Sequence, residues 1–217
     1  MRRFFFALLV LMFAAGSLSA QRRSSVYKTN TDPGAWFTVG IGGFTGTGVN
    51  DGRSNSSWDF GNSTNLQYRA SLEKALAGGS SFGVSGSWAH VPFVYTSNVG
   101  GPIVTSQDAH LDLMTLLGTF HVGGGVGFHQ VIEFNGGVVA YRNLRTDADG
   151  LALAPTGGNI DPLFSIGYGI GYGFSPRTQI DFVPDYAIAI HERSGLSNGA
   201  SNTNSMRSLR LALRMGF

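Results

Sequence analysis

The last twelve residues of the chain, MRSLRLALRMGF at 206–217, alternate between two kinds of side chain. Large apolar side chains take every second position: Leu209, Leu211, Leu213, Met215 and Phe217. Arg210 and Arg214 share the other positions with small residues. Because successive side chains of a strand point to opposite faces, this segment predicts a strand with one apolar and one cationic face. A soluble sheet can show the same alternation, but this pairing of faces suits a wall between lipid and a polar lumen.

The N-terminus carries the pattern of an export signal. Arg2 and Arg3 precede an uninterrupted run of 12 apolar residues at 4–15, and small residues follow up to Ala20. A transmembrane helix needs about 20 apolar residues, so this run is too short for one. We predict a cleaved secretory signal peptide over 1–20, followed by a flexible periplasmic segment over 21–34.

Composition narrows the function classes. The chain has 32 Gly and 16 Phe, and only 13% of its residues are charged. Once Arg2 and Arg3 leave with the signal, 13 basic residues balance 13 acidic ones, so charge gives no argument for nucleic acid binding. The absence of cysteine excludes disulfides, thiolate metal sites and a cysteine nucleophile.

Seven further segments alternate as the C-terminal segment does. They lie at about 35–44, 64–76, 82–95, 108–120, 129–142, 162–174 and 178–191. The segment at 162–174 has the strongest pattern, with Phe, Ile or Tyr alternating with Ser or Gly. In the segment at 108–120 we place Leu111, Leu113 and Leu117 on the apolar face. With the C-terminal segment this makes eight strands.

The connections between these segments alternate in length. Those at 77–81, 123–127 and 175–177 are short, whereas those at 45–63, 96–107, 143–161 and 192–205 are long and polar. Short turns at one end and long loops outside the cell are typical of transmembrane barrels. We therefore predict an all-β fold over 35–217, a transmembrane antiparallel up-and-down barrel with both termini in the periplasm. Ten strands would need extra segments within the long loops, and a soluble sandwich or lipocalin-like barrel is the remaining alternative.

The faces opposite the apolar ones carry charges that we expect to meet in the lumen. These residues are Arg69, Glu73, Asp112, Glu133, Asp181, Asp185, Arg210 and Arg214. The two segments at 178–191 and 206–217 form a hairpin, so Asp181 and Asp185 are expected to face Arg210 and Arg214. An eight-stranded barrel is just wide enough for side chains to fill it, and unpaired buried charges cost several kcal/mol. A lumen plugged by salt bridges is the first interpretation, and a narrow passage lined by the same residues is the second.

Two smaller features bear on the interior. Many inward positions are glycine, which we expect to leave space for water along one wall. Pro184 falls in the middle of a predicted strand, where it removes a ladder hydrogen bond, so a bulge is expected there.

The segment IHERSGLSNG is the one place where a catalytic set is conceivable. His191, Glu192, Ser194, Ser197 and Asn198 are the residue types of a Ser/His/acid site. Ser and Asn are also ordinary loop formers, and His191 fits a residue at the barrel rim. The five histidines lie on different segments without metal-ligand spacing, so no metal and no cofactor is expected.

At this point the chain resembles the small eight-stranded outer-membrane proteins of the OmpA, OmpX and opacity type. The resemblance covers about 35–217 and rests on the export signal, the alternating segments, the loop asymmetry and the terminal Phe217. It implies that Phe217 and the apolar face from Leu209 to Met215 form the signal that the barrel assembly machinery reads. A looser likeness to lipid A deacylases, which carry a His-x-Ser-Asn motif, fails, because Glu192 and Arg193 follow His191 and the pair Ser197-Asn198 comes only six residues on. Palmitoyltransferase-type barrels need an apolar interior pocket, whereas the lumen here is predicted to be polar.

The expected function is that of an integral protein of the bacterial outer membrane with a structural or surface-interaction role. A narrow channel for small solutes is the first alternative, and a lipid A-modifying enzyme using His191 is the second. We expect a monomer in contact with outer-membrane lipid and lipopolysaccharide, assembled by the barrel assembly machinery.

Overall fold

The computed structural model describes residues 32–61, 63–97, 105–197 and 200–217. The predicted signal peptide at 1–20 and nearly all of the predicted segment at 21–34 lie outside these residues. No helix in the described ranges is long and apolar enough to cross a membrane.

Ten β-strands make up the described fold, and every paired neighbour is antiparallel. They are β1 (Ala35–Gly46), β2 (Val49–Asp51), β3 (Ser56–Asp59), β4 (Asn65–Ala75), β5 (Ser80–Ser97), β6 (Thr105–Val122), β7 (Gly127–Thr146), β8 (Asn159–Ser175), β9 (Thr178–Ile190) and β10 (Thr203–Gly216). A short 3-10 turn, Ala77–Gly79, connects β4 to β5.

Eight of these strands close into a barrel, as the alternating segments predicted. The order runs β1, β4, β5, β6, β7, β8, β9 and β10, and β10 pairs again with β1. A closed antiparallel ladder satisfies the backbone groups of all its strands and leaves no open edge.

The two remaining strands, β2 and β3, form a hairpin within the first long connection. Val49 pairs with Trp58, and Trp58 pairs in turn with Tyr95 on β5, beyond the point where β4 begins. The hairpin starts at Gly48, whose φ is +127° and where a Cβ would lie 2.4 Å from the carbonyl oxygen of Trp58. Strands of three and four residues are too short for alternation to be visible in a sequence, so we missed them.

The two ends of the barrel differ, and we call them the turn end and the loop end. The turn end carries the short connections β4–β5, β6–β7 and β8–β9, and Trp36 pairs there with Gly216. The backbone of Phe217 continues this ladder, since its N–H donates to the carbonyl of Ala35 (3.0 Å). The loop end carries the long connections, so both ends of the barrel chain lie at the turn end, as expected for an even strand count.

The outer wall is a belt of exposed apolar side chains. On β8 these are Phe164, Ile166, Tyr168, Ile170, Tyr172 and Phe174, each at least 40% exposed. The predicted apolar faces of β1, β4, β5, β7, β9 and β10 also point outward. A soluble monomer rarely exposes apolar surface on this scale, so the wall suits lipid rather than water.

Strand β6 is where the predicted faces were wrong. Leu111, Leu113 and Leu117 point into the lumen and are at most 4% exposed, whereas Met114 and Leu116 point outward. Apolar residues occupy both faces of this strand, so alternation alone did not distinguish them.

Asp112 therefore lies on the outer wall and is not part of the lumen. Its carboxylate accepts hydrogen bonds from Asn143 Nδ2 (2.6 Å) and lies 3.2 Å from His90 Nδ1. The register of β6 against β7 shifts between His110 and Asp112, which marks an irregular stretch of β6 near the loop end.

The bulge expected at Pro184 is absent. Pro184 pairs with Leu209 on β10 in unbroken register. Toward β8 two pairs drop out between Gly167↔Asp185 and Ile170↔Phe182, but the register is the same on both sides of that gap. The strand tolerates the missing donor by a local break in one ladder rather than by inserting a residue.

Candidate functional site

The lumen divides into a polar layer near the turn end and an apolar layer near the loop end. In the polar layer, Glu133 on β7 is the point where the side chains of two arginines and one histidine converge. Arg210 donates from Nη2 to its Oε2 at 2.6 Å, and Arg69 Nη2 lies 3.8 Å from the same oxygen. His121 Nδ1 lies 3.2 Å from Oε1. The two arginines lie on β4 and β10, and neither strand is a neighbour of β7, so their contacts with Glu133 cross the lumen.

Arg69 is held mainly by neutral side chains. Its Nη2 donates to the oxygens of Asn135 (2.6 Å), Ser85 (3.0 Å) and Thr119 (3.3 Å). Thr119 also donates to Asn135 (2.8 Å), which links β4, β5, β6 and β7 through one network. The alternation of side chains predicts that these polar residues point into the lumen, but it does not predict that they contact one another there.

A second ion pair closes the lumen nearer the turn end. Arg214 donates to Glu73 Oε2 (2.9 Å) and to the Ser81 hydroxyl (2.8 Å), and its guanidinium lies 4.7 Å above the Trp36 ring. Glu73 also accepts hydrogen bonds from Ser71 (2.6 Å) and from Ser81. Both charged side chains are buried, and their carboxylate and Nη2 atoms are hydrogen-bonded, whereas Nε of Arg214 has no hydrogen-bond partner among the described residues.

The expected hairpin pairing of Asp181 and Asp185 with the two arginines does not occur. Along the β9–β10 ladder, Arg210 stands opposite Val183 and Arg214 opposite Gln179, so each acid is offset by two positions. Arginine side chains are long enough to cross this narrow barrel, and their bonds go to the carboxylates of β7 and β4 instead. Asp185 accepts from the Ser165 hydroxyl (3.1 Å).

Asp181 is a buried carboxylate with no hydrogen bond to any described residue. Nε2 of His129 lies 3.6 Å from Oδ1 of Asp181. The other ring nitrogen of His129 faces the carbonyl oxygen of Gly127 (3.1 Å).

The polar layer holds more carboxylates than arginines. Its arginines are Arg69, Arg210 and Arg214, and its carboxylates are Glu73, Glu133, Asp181 and Asp185. Both ring nitrogens of buried His121 lie near oxygen atoms, those of Glu133 (3.2 Å) and of the Gly123 carbonyl (3.1 Å).

The inward glycines do not leave the space that we expected. A Cβ at Gly40 would lie 2.9 Å from Cδ of Arg210. A Cβ at Gly171 would lie 2.3 Å from Nε2 of His129 and 2.4 Å from Oδ1 of Asp181. These glycines let charged side chains lie flat against the wall, so the room that they provide is already filled.

Two small cavities lie along the described lumen. One of about 30 Å³ lies between the two layers, next to Arg69 and Asp185 on one side and Leu113 and Leu163 on the other. A second of about 10 Å³ lies beside Glu133. Volumes of this size hold one or two water molecules and no larger solute.

The loop-end half of the lumen is apolar, which corrects the prediction of a uniformly polar interior. Its walls are Ala89, Val91, Phe93, Tyr95, Ala109, Leu111, Leu113, Val139, Tyr141, Leu144, Leu163, Ala187 and Ala189, all buried. The β2–β3 hairpin folds over this end and inserts Val49, Trp58 and Phe60 among them. The side chain of Trp58 is 1% exposed and makes edge contacts with Tyr141.

His191 lies inside the barrel, at the start of the last long connection, and not at its rim. Its Nδ1 contacts Asp161 Oδ2 (2.8 Å), and its Nε2 lies 3.3 Å from Asn159 Nδ2 and 3.6 Å from Asp51 Oδ1. Burial lowers the pKa of His191, but the hydrogen bond and charge of Asp161, with the charge of Asp51, outweigh burial and raise it.

The residues around His191 do not form the catalytic set that the sequence suggested. The Ser194 hydroxyl donates to Glu192 (2.8 Å), which in turn binds Arg53, and no described serine hydrogen-bonds to His191. Asn198 lies outside the described residues. His191 itself is 2% exposed, so the arrangement gives neither a nucleophile nor access for a lipid substrate.

The C-terminal apolar residues lie where an assembly signal is expected. Leu209, Leu211, Leu213 and Met215 point outward from β10 and are between 37% and 52% exposed. Phe217 follows at the turn end and is 64% exposed. Their role in recognition stays a prediction.

Comparison with known proteins supports the fold and gives no family. No protein family model and no curated protein matches the sequence. Among solved structures, Neisserial surface protein A is similar over 85% of this chain and 97% of its own, with 12% identity and a TM-score of 0.53. Outer membrane protein OprG from Pseudomonas aeruginosa matches over 87% of this chain and 97% of its own, with 11% identity and a TM-score of 0.43. From its closed ladder, its apolar outer wall and the first of these likenesses, the chain has the fold of the small eight-stranded outer-membrane barrels.

Proposed function

We propose that this protein is an integral outer-membrane barrel with a closed lumen, which acts as a structural element or through its loop-end surface rather than as a conduit. The observation that carries the proposal is the double closure of the lumen. Arg210–Glu133 and Arg214–Glu73 cross the polar layer, and the inserted Trp58 and Phe60 fill the apolar layer. A solute would have to displace both.

The orientation follows from the asymmetry of the two ends. Long loops face the outside in outer-membrane barrels, so the turn end with Ala35 and Phe217 would face the periplasm. In this position the apolar belt contacts outer-membrane lipid, and lipopolysaccharide surrounds the loop end. We also propose a monomer that the barrel assembly machinery inserts through β10.

A narrow channel is the second candidate, and one observation favours it. Polar atoms of Asp181, Gln179 and Arg210 are buried without a described hydrogen-bond partner. Such groups are costly unless water reaches them, so the polar layer is suited to hold water. Water in that layer leads to conduction only if the apolar layer also opens.

Conductance across a planar lipid bilayer distinguishes the two candidates. Residues 21–217 are refolded into vesicles, insertion is verified by protease protection, and wild type is compared with Arg210→Ala. We expect no conductance steps from the wild type. Discrete steps in the wild type that change amplitude in Arg210→Ala would contradict the closed lumen and make the channel the better description.

A further inference from the structure

The β2–β3 hairpin is placed as a lid over the apolar half of the lumen. We define the lid as residues 47–61, and its buried side chains include Trp58, Phe60 and Val49. Gly48 N–H and the Thr47 hydroxyl both bond to the side-chain oxygen of Asn204 on β10, at 3.3 and 3.4 Å. The lid is thus attached to the wall at its base and along β3, which pairs with β5, while its tip reaches across the opening.

The tip of the lid is fastened to the last long connection by contacts across the barrel mouth. Arg53 Nη2 pairs with Glu192 Oε1 at 2.7 Å, and Asn50 Nδ2 donates to the Ser201 carbonyl at 3.1 Å. A Cβ at Gly52 would lie 2.3 Å from the Ser194 carbonyl oxygen, so the two backbones touch. These contacts are exposed to solvent, and the Arg53–Glu192 pair is therefore weak.

One contact of the tip is buried. His191 lies between Asp51 of the lid and Asp161 of β8, and all three side chains are at most 3% exposed. The ring also contacts Trp58 edge-on, with centroids 5.8 Å apart. From the other packed strands, Tyr141 of β7 faces the ring at 6.5 Å and bonds to Asn204 of β10.

The charge of this cluster depends on a single proton. A protonated His191 lies as a cation between two carboxylates and donates toward each of them. Once the ring is neutral and keeps its proton on Nδ1 toward Asp161, the lone pair on Nε2 accepts from Asn159 Nδ2 at 3.3 Å, and no N–H of the ring points toward Asp51 at 3.6 Å. The lid tip then loses its buried ionic attraction, and Asp51 keeps only the hydrogen bonds from the Arg53 N–H (3.1 Å) and the Ser54 hydroxyl (2.6 Å) within the lid.

We propose that His191 is a proton-operated latch that keeps the lid closed over the lumen and releases it as the pH rises. Release separates β3 from β5, which pair from Ser56↔Ser97 to Asp59↔Val94, so that Trp58 and Phe60 leave with the lid. The apolar walls around Val91, Leu111 and Tyr141 are then exposed to the loop-end solution. The salt bridges of the polar layer are not part of the lid and stay in place.

The direction of the pH dependence follows from the raised pKa of His191. Opening the lid removes Asp51 but leaves Asp161 of β8 against the ring, so the pKa of His191 is lower in the open lid than in the closed lid by the contribution of Asp51. The latch is complete below the open-lid pKa and is lost as the pH rises through the closed-lid pKa. Between these two values the ratio of open to closed lid rises about tenfold per pH unit, and above them it is constant.

Trp58 reports the state of the lid if the other tryptophans are replaced. In Trp36→Phe/Trp88→Phe the emission comes from Trp58 alone, and acrylamide quenching measures its exposure from about pH 6 to about pH 10 in vesicles. We expect quenching to increase with pH in this background and to be high at every pH once His191→Gln is added. Trp58→Phe/Trp88→Phe, which keeps Trp36 at the turn end, is the control for exposure elsewhere.

His110→Gln is the matched control for the histidine. His110 also pairs with an aspartate, Asp147 at 2.6 Å, but on the exposed outer side of the loop end. The His110→Gln substitution should therefore leave the pH response of Trp58 unchanged. A response that persists in His191→Gln, or a Trp58 that is equally protected at all pH values in the parent background, would overturn the latch.

A crosslink tests the lid independently of substitutions at His191. The chain has no cysteine, so Asn50→Cys/Ser201→Cys places one pair across the closed lid tip. Oxidation should abolish the pH response of Trp58, and reduction should restore it. An unchanged response in the oxidised protein would mean that the signal does not come from opening of the lid.

Discussion

Replacing Glu133 by glutamine removes the carboxylate on which the lumen cations converge. Arg210 lies 2.6 Å from it, and both side chains are less than 10% exposed. For charge centres about 4 Å apart at an effective dielectric constant of about 20, the attraction is about 4 kcal/mol. Glutamine keeps the shape and one acceptor oxygen, so the loss is one of charge. Since the substitution leaves Arg210 buried without its partner, we expect the free energy of unfolding to fall by about 3–5 kcal/mol.

Removing both charges should cost much less than removing one. In Glu133→Gln/Arg210→Gln the net charge of the polar layer is unchanged, and Arg69 keeps its hydrogen bonds to Ser85, Thr119 and Asn135. We therefore expect a free energy of unfolding within about 2 kcal/mol of wild type. The coupling between the two substitutions would then exceed that of independent sites, which is about 0.5 kcal/mol at most.

Urea unfolding of the barrel in lipid vesicles, followed by tryptophan emission, measures these differences. Asp112→Asn is the control, because Asp112 was predicted to share this network but lies on the outer wall with an 18% exposed side chain. Its effect should stay within about 1 kcal/mol. A neutral Glu133→Gln, or a double variant whose loss equals the sum of the two single losses, would refute the role assigned to this pair.

Two other substitutions test the wall and its assembly. Gly169→Ala should destabilise the barrel by about 1–3 kcal/mol, because its Cβ would lie 2.0 Å from the carbonyl oxygen of Phe182. Gly86→Ala, where the nearest atom is at 3.5 Å, should stay within about 0.5 kcal/mol in the same urea titration, and equal effects would contradict the close approach. Phe217→Ser should reduce the amount of folded barrel in the outer membrane of expressing cells, since that residue is predicted to be read during assembly. Its refolding yield into vesicles should match wild type, and an equal loss in both assays would indicate a folding defect instead.

The alternation of side chains predicted the strands of the wall and most of their faces, because the two-residue period of a strand is a local property of the chain. The inner and outer faces of β6 were predicted wrongly because the same local property was the only information used. Where the lumen is apolar, as around Leu111 and Leu113, both faces of a strand are apolar and the period carries no information about which is inside. Asp112 was assigned to the lumen for that reason.

The partners of the lumen charges depend on the closed barrel as a whole. Arg210 and Arg214 were recognised as inward residues from the sequence alone, yet their carboxylates lie on β7 and β4 rather than on the neighbouring β9. Which residues meet across a barrel depends on the tilt and stagger of its strands, and no local pattern encodes these. The contacts of the lid cannot be predicted from local patterns either, because Asp51, Asp161 and His191 come together from three distant segments.

The sequence by itself determined the class of the fold: eight strands, an apolar outer face, and a charged inner face on the strands that carry arginine or glutamate. These features follow from the spacing of neighbouring residues and from the lengths of the connections. Only the tertiary structure decided that the lumen has two layers, that a hairpin covers one of them, and that His191 lies between two carboxylates. Each of these depends on contacts between residues far apart in the chain, which closure of the barrel brings within a few ångströms of one another.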